Sequence, residues 1–223
     1  MEELIRKHSA IMDEFDPKRR VSLVVDEWGT WFDVEPGTNP GFLYQQNTLR
    51  DALVAGIYLN TFNNMCERVG MANIAQAINV LQAIVLTEDK KMLLTPTYHV
   101  FDMYKVHQDA TKLLVYVESD SCSSGFEQIQ LVTASASEDD SGKVHISLTN
   151  IDTRNEQPVQ LKLRGGSPGL VGGKIITSEK INDHNTFDEA GKVEIKDFSG
   201  TKVNGSCVTV NLPPKSVVTL ELE

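Results

Sequence analysis

Two adjacent carboxylates, Asp26 and Glu27, follow the apolar run Val21-Ser22-Leu23-Val24-Val25. Such a run suits a parallel strand buried on both faces. Catalytic groups of α/β barrels and open parallel sheets sit at the C-terminal ends of their strands. Successive strand residues point to opposite faces. Only one of the two acids is therefore expected to enter a site, with the other behind it, so they do not form a catalytic pair with each other. A helix cap or a loop ion pair is the structural alternative. Trp28 and Trp31 are the chain's two tryptophans and lie in the same stretch. Flat aromatic faces pack against the C–H face of sugars, so an acid beside tryptophans points to carbohydrate chemistry.

Other constellations carry less. The stretch Gly165 to Gly173 (GGSPGLVGG) lacks both the following helix and the Ser/Thr of a phosphate-binding loop, and reads as a hairpin loop. His99, Asp102 and His107 resemble a metal set, but positions 99 and 102 would face opposite sides of a strand; no metal or other cofactor is expected. His8, His145 and His184 have no partner by spacing. Cys66 reads as core rather than nucleophile. Glu138-Asp139-Asp140 reads as a solvated turn rather than a calcium loop.

The elements that must position Asp26 and Glu27 fall into two textures. Over residues 1 to 95 the chain alternates helix and strand. Glu2 to Phe15 has Leu4, Ile5, His8, Ile11, Met12 and Phe15 at helical spacing, and Pro17 ends it. After the Val21 run and a loop rich in Pro and Gly, Gln46 to Met65 reads as a helix with Leu49, Leu53, Gly56, Ile57 and Phe62 on a stripe. Val69 to Ile74 reads as a second strand and Gln76 to Val85 as a short helix. This is the alternation of an α/β layer. Beyond Thr97 the pattern becomes short strands: Thr97–Tyr104, Lys112–Val117, Gln128–Ala134, Val144–Asn150, Val159–Leu163, Lys174–Ser178, Lys192–Asp197, Cys207–Leu212 and Ser216–Leu222. Turn clusters separate them, which predicts a β-sandwich.

Composition narrows the function classes. The chain has 223 residues, 40% hydrophobic and 23% charged, with 21 Lys and Arg against 31 Asp and Glu. That is globular composition, enough for a sizeable core. The net charge of -10 repels phosphate backbones and anionic membranes, so nucleic acid and membrane are not expected partners. No run approaches the roughly 18 to 20 apolar residues of a helical span. The charged first residues contain no signal-peptide core, and an intracellular setting is favoured. Three widely spaced cysteines do not suggest a disulfide framework.

Several motifs occur in order: VSLVVDEWGTWF, PGFLYQQNTLRDALVAGIYLNTFNN, ERVGMANIAQAINVLQAIVLT and LTPTYHVFDMYKVHQ. Together they resemble the C-terminal half of family 51 glycoside hydrolases, the α-L-arabinofuranosidases. The resemblance implies the last two βα units of a (β/α)₈ TIM barrel at residues 1–95, followed by a jelly-roll-like β-sandwich at 96–223. It implies a retaining exo-hydrolase that releases terminal α-L-arabinofuranosyl residues from arabinan or arabinoxylan, and a homo-oligomer in the full-length form. The family's nucleophile, the Glu of its DEW motif, falls on Glu27. The substrate-lining Trp four residues on falls on Trp31. The Gln of the AQ-x-x-N segment, which contacts the furanose, falls on Gln76. The acid/base Glu of the family belongs to an N-E motif on strand 4 and has no counterpart here. A barrel takes roughly 200 to 250 residues, so the chain reads as a fragment, inactive on its own. A sister activity (endoglucanase or β-xylosidase) and a non-catalytic carbohydrate-binding or assembly module are the alternatives.

Overall fold

A computed structural model describes residues 1–125, 127–164, 169–205 and 207–223. The chain runs α1 (Glu2–Phe15), β1 (Leu23–Trp28), α2 (Leu49–Asn64), β2 (Val69–Ile74), β3 (Val85–Glu88), β4 (Lys91–Leu94) and α3 (Pro96–Tyr104). It continues through β5 (Thr111–Leu113), β6 (Ser121–Ser124), β7 (Glu127–Gln130), β8 (Val132–Glu138), β9 (Val144–Asn150) and β10 (Gln157–Lys162). The last strands are β11 (Leu170–Ile176), β12 (Lys196–Asp197), β13 (Thr201–Asn204), β14 (Cys207–Leu212) and β15 (Ser216–Leu222).

β1 and β2 pair in parallel, from Leu23 opposite Val69 to Trp28 opposite Ile74. The α2 helix joins them, as a parallel pair requires. Arg68, just before β2, closes the other end of this unit. Its buried guanidinium binds Asp13 of α1, Asp16 and the Val21 carbonyl. Arg19, then Arg68, hold the Asp13 carboxyl below the usual carboxylate range. The Val21 N–H and then Arg68 do the same for Asp16.

The strands from β5 onward, apart from the separate hairpin β6–β7, form a sandwich. A six-stranded antiparallel sheet in the order β12-β11-β15-β9-β8-β5 faces a three-stranded sheet, β10-β14-β13. Val132, Ala134, Ile146, Leu148, Val218, Leu220 and Leu222 of the larger sheet meet Val208, Val210 and Leu212 of the smaller one in a single core. Because strand side chains alternate, the other face of β8 and β9 carries Thr133, Ser135, Ser137, Ser147 and Thr149.

That polar face is covered by α2 and α3. Asn60 donates to Thr133 Oγ1 at 3.0 Å and accepts from Ser135 Oγ at 2.8 Å. Asn63 donates to Ser135 Oγ at 3.1 Å, and Asn64 to the Ala134 carbonyl at 2.8 Å. The Tyr104 hydroxyl donates to Asn60 Oδ1 at 3.0 Å. Beyond α3, His107 lies between Ser137 Oγ (2.7 Å) and Ser147 Oγ (2.6 Å). Burial, then the nearby His145, hold its imidazole down at about 4. Buried polar groups are tolerated when each finds a partner, and here the two layers satisfy one another. A second core runs through the same junction. Trp28, Leu49, Ala52, Leu53 and Phe62 belong to it together with Ile176, Val193 and Val217 of the sandwich side.

Some expected elements form otherwise. Residues 97–104 are helix, not strand. Thr95 caps it by accepting from the Tyr98 N–H, and Pro96 occupies the first turn. Val100, Met103 and Tyr104 are the buried positions at helical spacing. His99 and Asp102 are therefore three apart on a helix rather than on opposite strand faces, and Asp102 pairs with Lys105 at 2.6 Å. The helix expected over 76–85 is a turn, with Asn79 and Leu81 at positive φ (60° and 50°). Such backbone is incompatible with a right-handed helix. The hairpin β3–β4 follows it, unforeseen.

Smaller departures are local. Lys192–Asp197 pairs only at Lys196–Asp197, and Lys112–Val117 only within β5. The stretch 128–134 is divided between β7 and β8. Cys66 is exposed rather than core, and His145 Nε2 reaches Asp139 Oδ2 at 2.9 Å. Of the hairpin loop expected over Gly165–Gly173, residues 165–168 lie outside the described residues, and the part from Leu170 to Gly173 is strand, within β11.

Gly56 sits where α2 crosses the sheet. A Cβ there would lie 2.5 Å from Thr149 Oγ1 and 3.1 Å from Val217 Cγ2. In an open helix Gly→Ala gains about 1 kcal/mol, whereas overpacking a tight contact costs about 1–3 kcal/mol. Overpacking wins here, because Thr149 is fully buried and cannot step aside. Gly56→Ala is expected to lower the free energy of unfolding by up to about 2 kcal/mol, the overpacking cost less the propensity gain, read from the urea midpoint at unchanged slope. A rise in the midpoint would contradict this packing.

Candidate active site

The parallel register carries β1 to Trp28, where the strand ends. Its pairing with β2 shifts between Val25 and Trp28. That irregularity breaks strict alternation, so Asp26 and Glu27 are both exposed, contrary to the expectation that one would lie behind the other. Glu27, Trp28, Gly29, Thr30, Trp31, Ala75 and Leu81 line a cavity of about 240 Å³ at the ends of the two strands. Glu27 is the carboxylate of this lining among the described residues.

The two tryptophans have separate roles. Trp28 is 5% exposed, stacked on Phe101 (5.8 Å, 12°) with edge contacts to Phe62 and Tyr58. It anchors the strand end in the core. Trp31 is 67% exposed and stands in the cavity wall, free to offer an aromatic face. Gln76 is exposed on the loop after β2, directly after the lining residue Ala75, but is not itself in the lining. The structure thus brings Glu27 and Trp31 together and leaves Gln76 at the margin.

A layer behind the cavity was not foreseen from the sequence. Thr30 Oγ1 donates to Asp51 Oδ1 at 2.7 Å, and the Thr30 N–H donates to Gln82 Oε1 at 2.8 Å. Gln45 donates to the Thr30 carbonyl at 3.1 Å and accepts from the Phe32 N–H at 2.9 Å. Asp51 also accepts from the Thr48 N–H at 2.7 Å at the start of α2. Gln45, Asp51 and Gln82 are buried polar residues. Asp51 belongs to a capping box with Thr48, which the Thr-x-x-Asp spacing marks in the sequence, whereas Gln45 and Gln82 are revealed by their tertiary meeting at Thr30. Among the described residues no three His, Cys, Asp or Glu side chains gather to hold a metal ion. No helix there is long and apolar enough to cross a membrane.

What this arrangement can do is present a carboxylate and an aromatic face to a small polar ring in a shallow cavity. Comparison with known proteins agrees with the chemistry. The family model described as "Alpha-L-arabinofuranosidase C-terminal domain" matches residues 26–216. An intracellular exo-alpha-L-arabinofuranosidase of Bacteroides ovatus is 46% identical over 224 residues, covering 100% of this chain and 44% of its own length. Alpha-L-arabinofuranosidase C of Emericella nidulans is 25% identical over 189 residues, covering 80% of this chain and 36% of its own. The crystal structure of the GH51 arabinofuranosidase from Xanthomonas axonopodis pv. citri superposes with a TM-score of 0.97 at 49% identity, over 100% of this chain and 45% of that one. The chain therefore spans under half the length of these relatives.

The division of labour between the tryptophans is open to test. Trp28→Ala should cost about 3–5 kcal/mol of stability, as large aromatic truncations in cores do. Trp31→Ala should stay within about 0.5 kcal/mol, as exposed positions do. Chemical denaturation of the two variants decides the matter. A Trp31→Ala loss as large as that of Trp28→Ala would show Trp31 to be a core residue.

Proposed function

Because the chain belongs to the family of α-L-arabinofuranosidase C-terminal domains, within the family 51 glycoside hydrolases, we propose that it supplies the nucleophile-bearing end of a retaining α-L-arabinofuranosidase. Residues 1–95, with the helix α3 that follows, contribute the last two βα units of the barrel, and the remainder up to residue 223 forms the sandwich. The substrate class is arabinan or arabinoxylan carrying terminal α-L-arabinofuranosyl residues. The observation that carries this reading is Glu27 at the end of a parallel strand, in one cavity with the exposed Trp31.

In this reading Glu27 attacks the anomeric carbon as a carboxylate while a second, protonated carboxyl, about 5 Å away in retaining enzymes, delivers its proton to the leaving oxygen. The glycosyl–Glu27 ester then yields to water, from which the second group, now a base, withdraws a proton. Two inversions at carbon give net retention. Trp31 packs against the apolar face of the furanose ring. Gln76 is assigned hydrogen bonds to the ring hydroxyls. On the family resemblance the second carboxyl is assigned to polypeptide outside these residues; among the described residues Glu27 is the carboxylate of the cavity lining. Homo-oligomeric assembly is proposed on the family resemblance. An intracellular setting follows the Bacteroides ovatus relative, which is named as intracellular.

The test joins the chain behind the part of the Bacteroides ovatus relative that it does not match. The chimera is expected to hydrolyse an aryl α-L-arabinofuranoside, and the 223-residue chain alone to show no turnover. Glu27→Ala in the chimera should lower turnover at least about 10³-fold, as loss of a covalent nucleophile does. Azide should restore part of it by occupying the vacated space, giving a glycosyl azide of inverted configuration. A Glu27→Ala chimera keeping a tenth of the parental rate would refute the assignment.

A further inference from the structure

The loop after β1 carries Trp31, and the loop after β2 carries Gln76. One buried residue bonds to both. The Gln82 side chain accepts from the Thr30 N–H at 2.8 Å, next to Trp31, and also lies against Thr30 Oγ1. Its backbone N–H donates to the Ala75 carbonyl at 3.0 Å, next to Gln76. The Ala75 N–H in turn donates to the Trp28 carbonyl at 2.9 Å, next to Glu27.

The far end of Gln82 is held as firmly. Its Nε2 donates to Thr97 Oγ1 at 3.2 Å, Thr97 Oγ1 donates to Asn47 Oδ1 at 2.8 Å, and Asn47 Nδ2 donates to the Ala83 carbonyl at 2.9 Å. Gln82 is 1% exposed. A buried amide is costly unless paired, so a core that needed only volume here would be better served by an apolar side chain. Gly29 bears out the closeness of the fit. Its φ is +138°, and a Cβ there would lie 3.1 Å from Gln82 Cβ.

We infer that Gln82 is a positioning residue that sets Trp31 and the Gln76 loop in their relative places around Glu27. It touches no substrate and acts through Thr30 and Ala75. The inference rests on the reading of Glu27 and Trp31 as site residues. Misplacing a binding group by about 1 Å can cost on the order of 10²-fold in rate even when the altered residue is remote from the chemistry.

The chain labelled with 5-fluorotryptophan gives one ¹⁹F resonance for each of its two tryptophans, assigned with Trp31→Phe. Gln82→Met keeps the volume and removes the side-chain hydrogen bonds to Thr30 and Thr97, leaving the backbone bond to Ala75 in place. The Trp31 resonance should sharpen and move toward that of the free amino acid, reporting nanosecond loop motion, while the Trp28 resonance stays in place. Thr97→Val, which removes the far anchor of Gln82 together with the Thr97–Asn47 bond, should shift Trp31 in the same direction by less. It serves as the deciding variant if Gln82→Met does not fold. Gly56→Ala, which strains α2 against the sheet away from Gln82, should shift Trp31 by less than Gln82→Met does. In the chimera, Gln82→Met should lower kcat/KM about 10- to 100-fold, more through KM than through kcat, because sugar stacking on Trp31 acts on ground and transition states alike. A Trp31 resonance unmoved in the folded variants, or moved equally by Gly56→Ala, would overturn the inference. Failure of the functional reading shows separately, as Glu27→Ala activity, and does not alter the fluorine result.

Discussion

Burial of α2 on opposite sides is the constraint on which the rest depends. One side meets β1 through Trp28 and Phe62, whose rings stand 5.4 Å apart. The other crosses the larger sheet at Gly56, close enough that even a methyl group would meet Thr149. A single apolar core therefore runs from the parallel strand pair to the sandwich. Hydrophobic burial supplies the attraction, and the hydrogen bonds of Asn60, Asn63, Asn64, Tyr104 and His107 select the register. Each polar pair is worth only about 0.5–1.5 kcal/mol when made, but an unmade one leaves a buried group unsatisfied at about 1–3 kcal/mol. A sliding of α2 along the sheet would break several at once. The sandwich thus holds the helix, and the helix holds the strand that carries Glu27 next to its last residue, Trp28.

The same helix begins at the site. Asp51, in its first turn, binds both the Thr48 N–H and the Thr30 hydroxyl. Carboxylates are favoured at helix N-termini by the exposed amides and the dipole, and here that preference also fixes a loop beside the cavity. Packing and site geometry are therefore coupled through one element. Trp28 belongs to the packing side of this arrangement and Trp31 to the site side, although only Gly29 and Thr30 separate them.

Much of this was legible in the residues, and the failures have physical causes. Strong periodicity located Glu2–Phe15, Val69–Ile74, Val144–Asn150, Cys207–Leu212 and Ser216–Leu222 to the residue. Thr97–Tyr104 misled because Thr, Tyr, His, Val and Phe favour strands, while the Thr95–Pro96 start and the buried Val100, Met103 and Tyr104 impose a helix. Residues 76–85 misled because tertiary bonds, such as Asn79 to the Thr87 N–H at 2.7 Å, hold a turn that local propensity does not specify. The serines and threonines of β8 and β9 lie beneath α2 and α3; alternation reveals two faces but not what covers them. At the site, the motif brought out Glu27, Trp31 and Gln76; the Thr48-x-x-Asp51 spacing marks a helix cap but not its bond to Thr30, and Gln45 and Gln82 became visible only where distant segments meet.

As the proposed nucleophile, Glu27 is the group that forms the glycosyl ester. Treatment of the chimera with an epoxide of arabinofuranose configuration, followed by proteolysis and fragment-ion mass spectrometry, locates the carboxylate that reacts with the anomeric centre. A single label on Glu27 is expected, with competing arabinose slowing its formation. A label on Asp26 or on any other carboxylate would contradict that role.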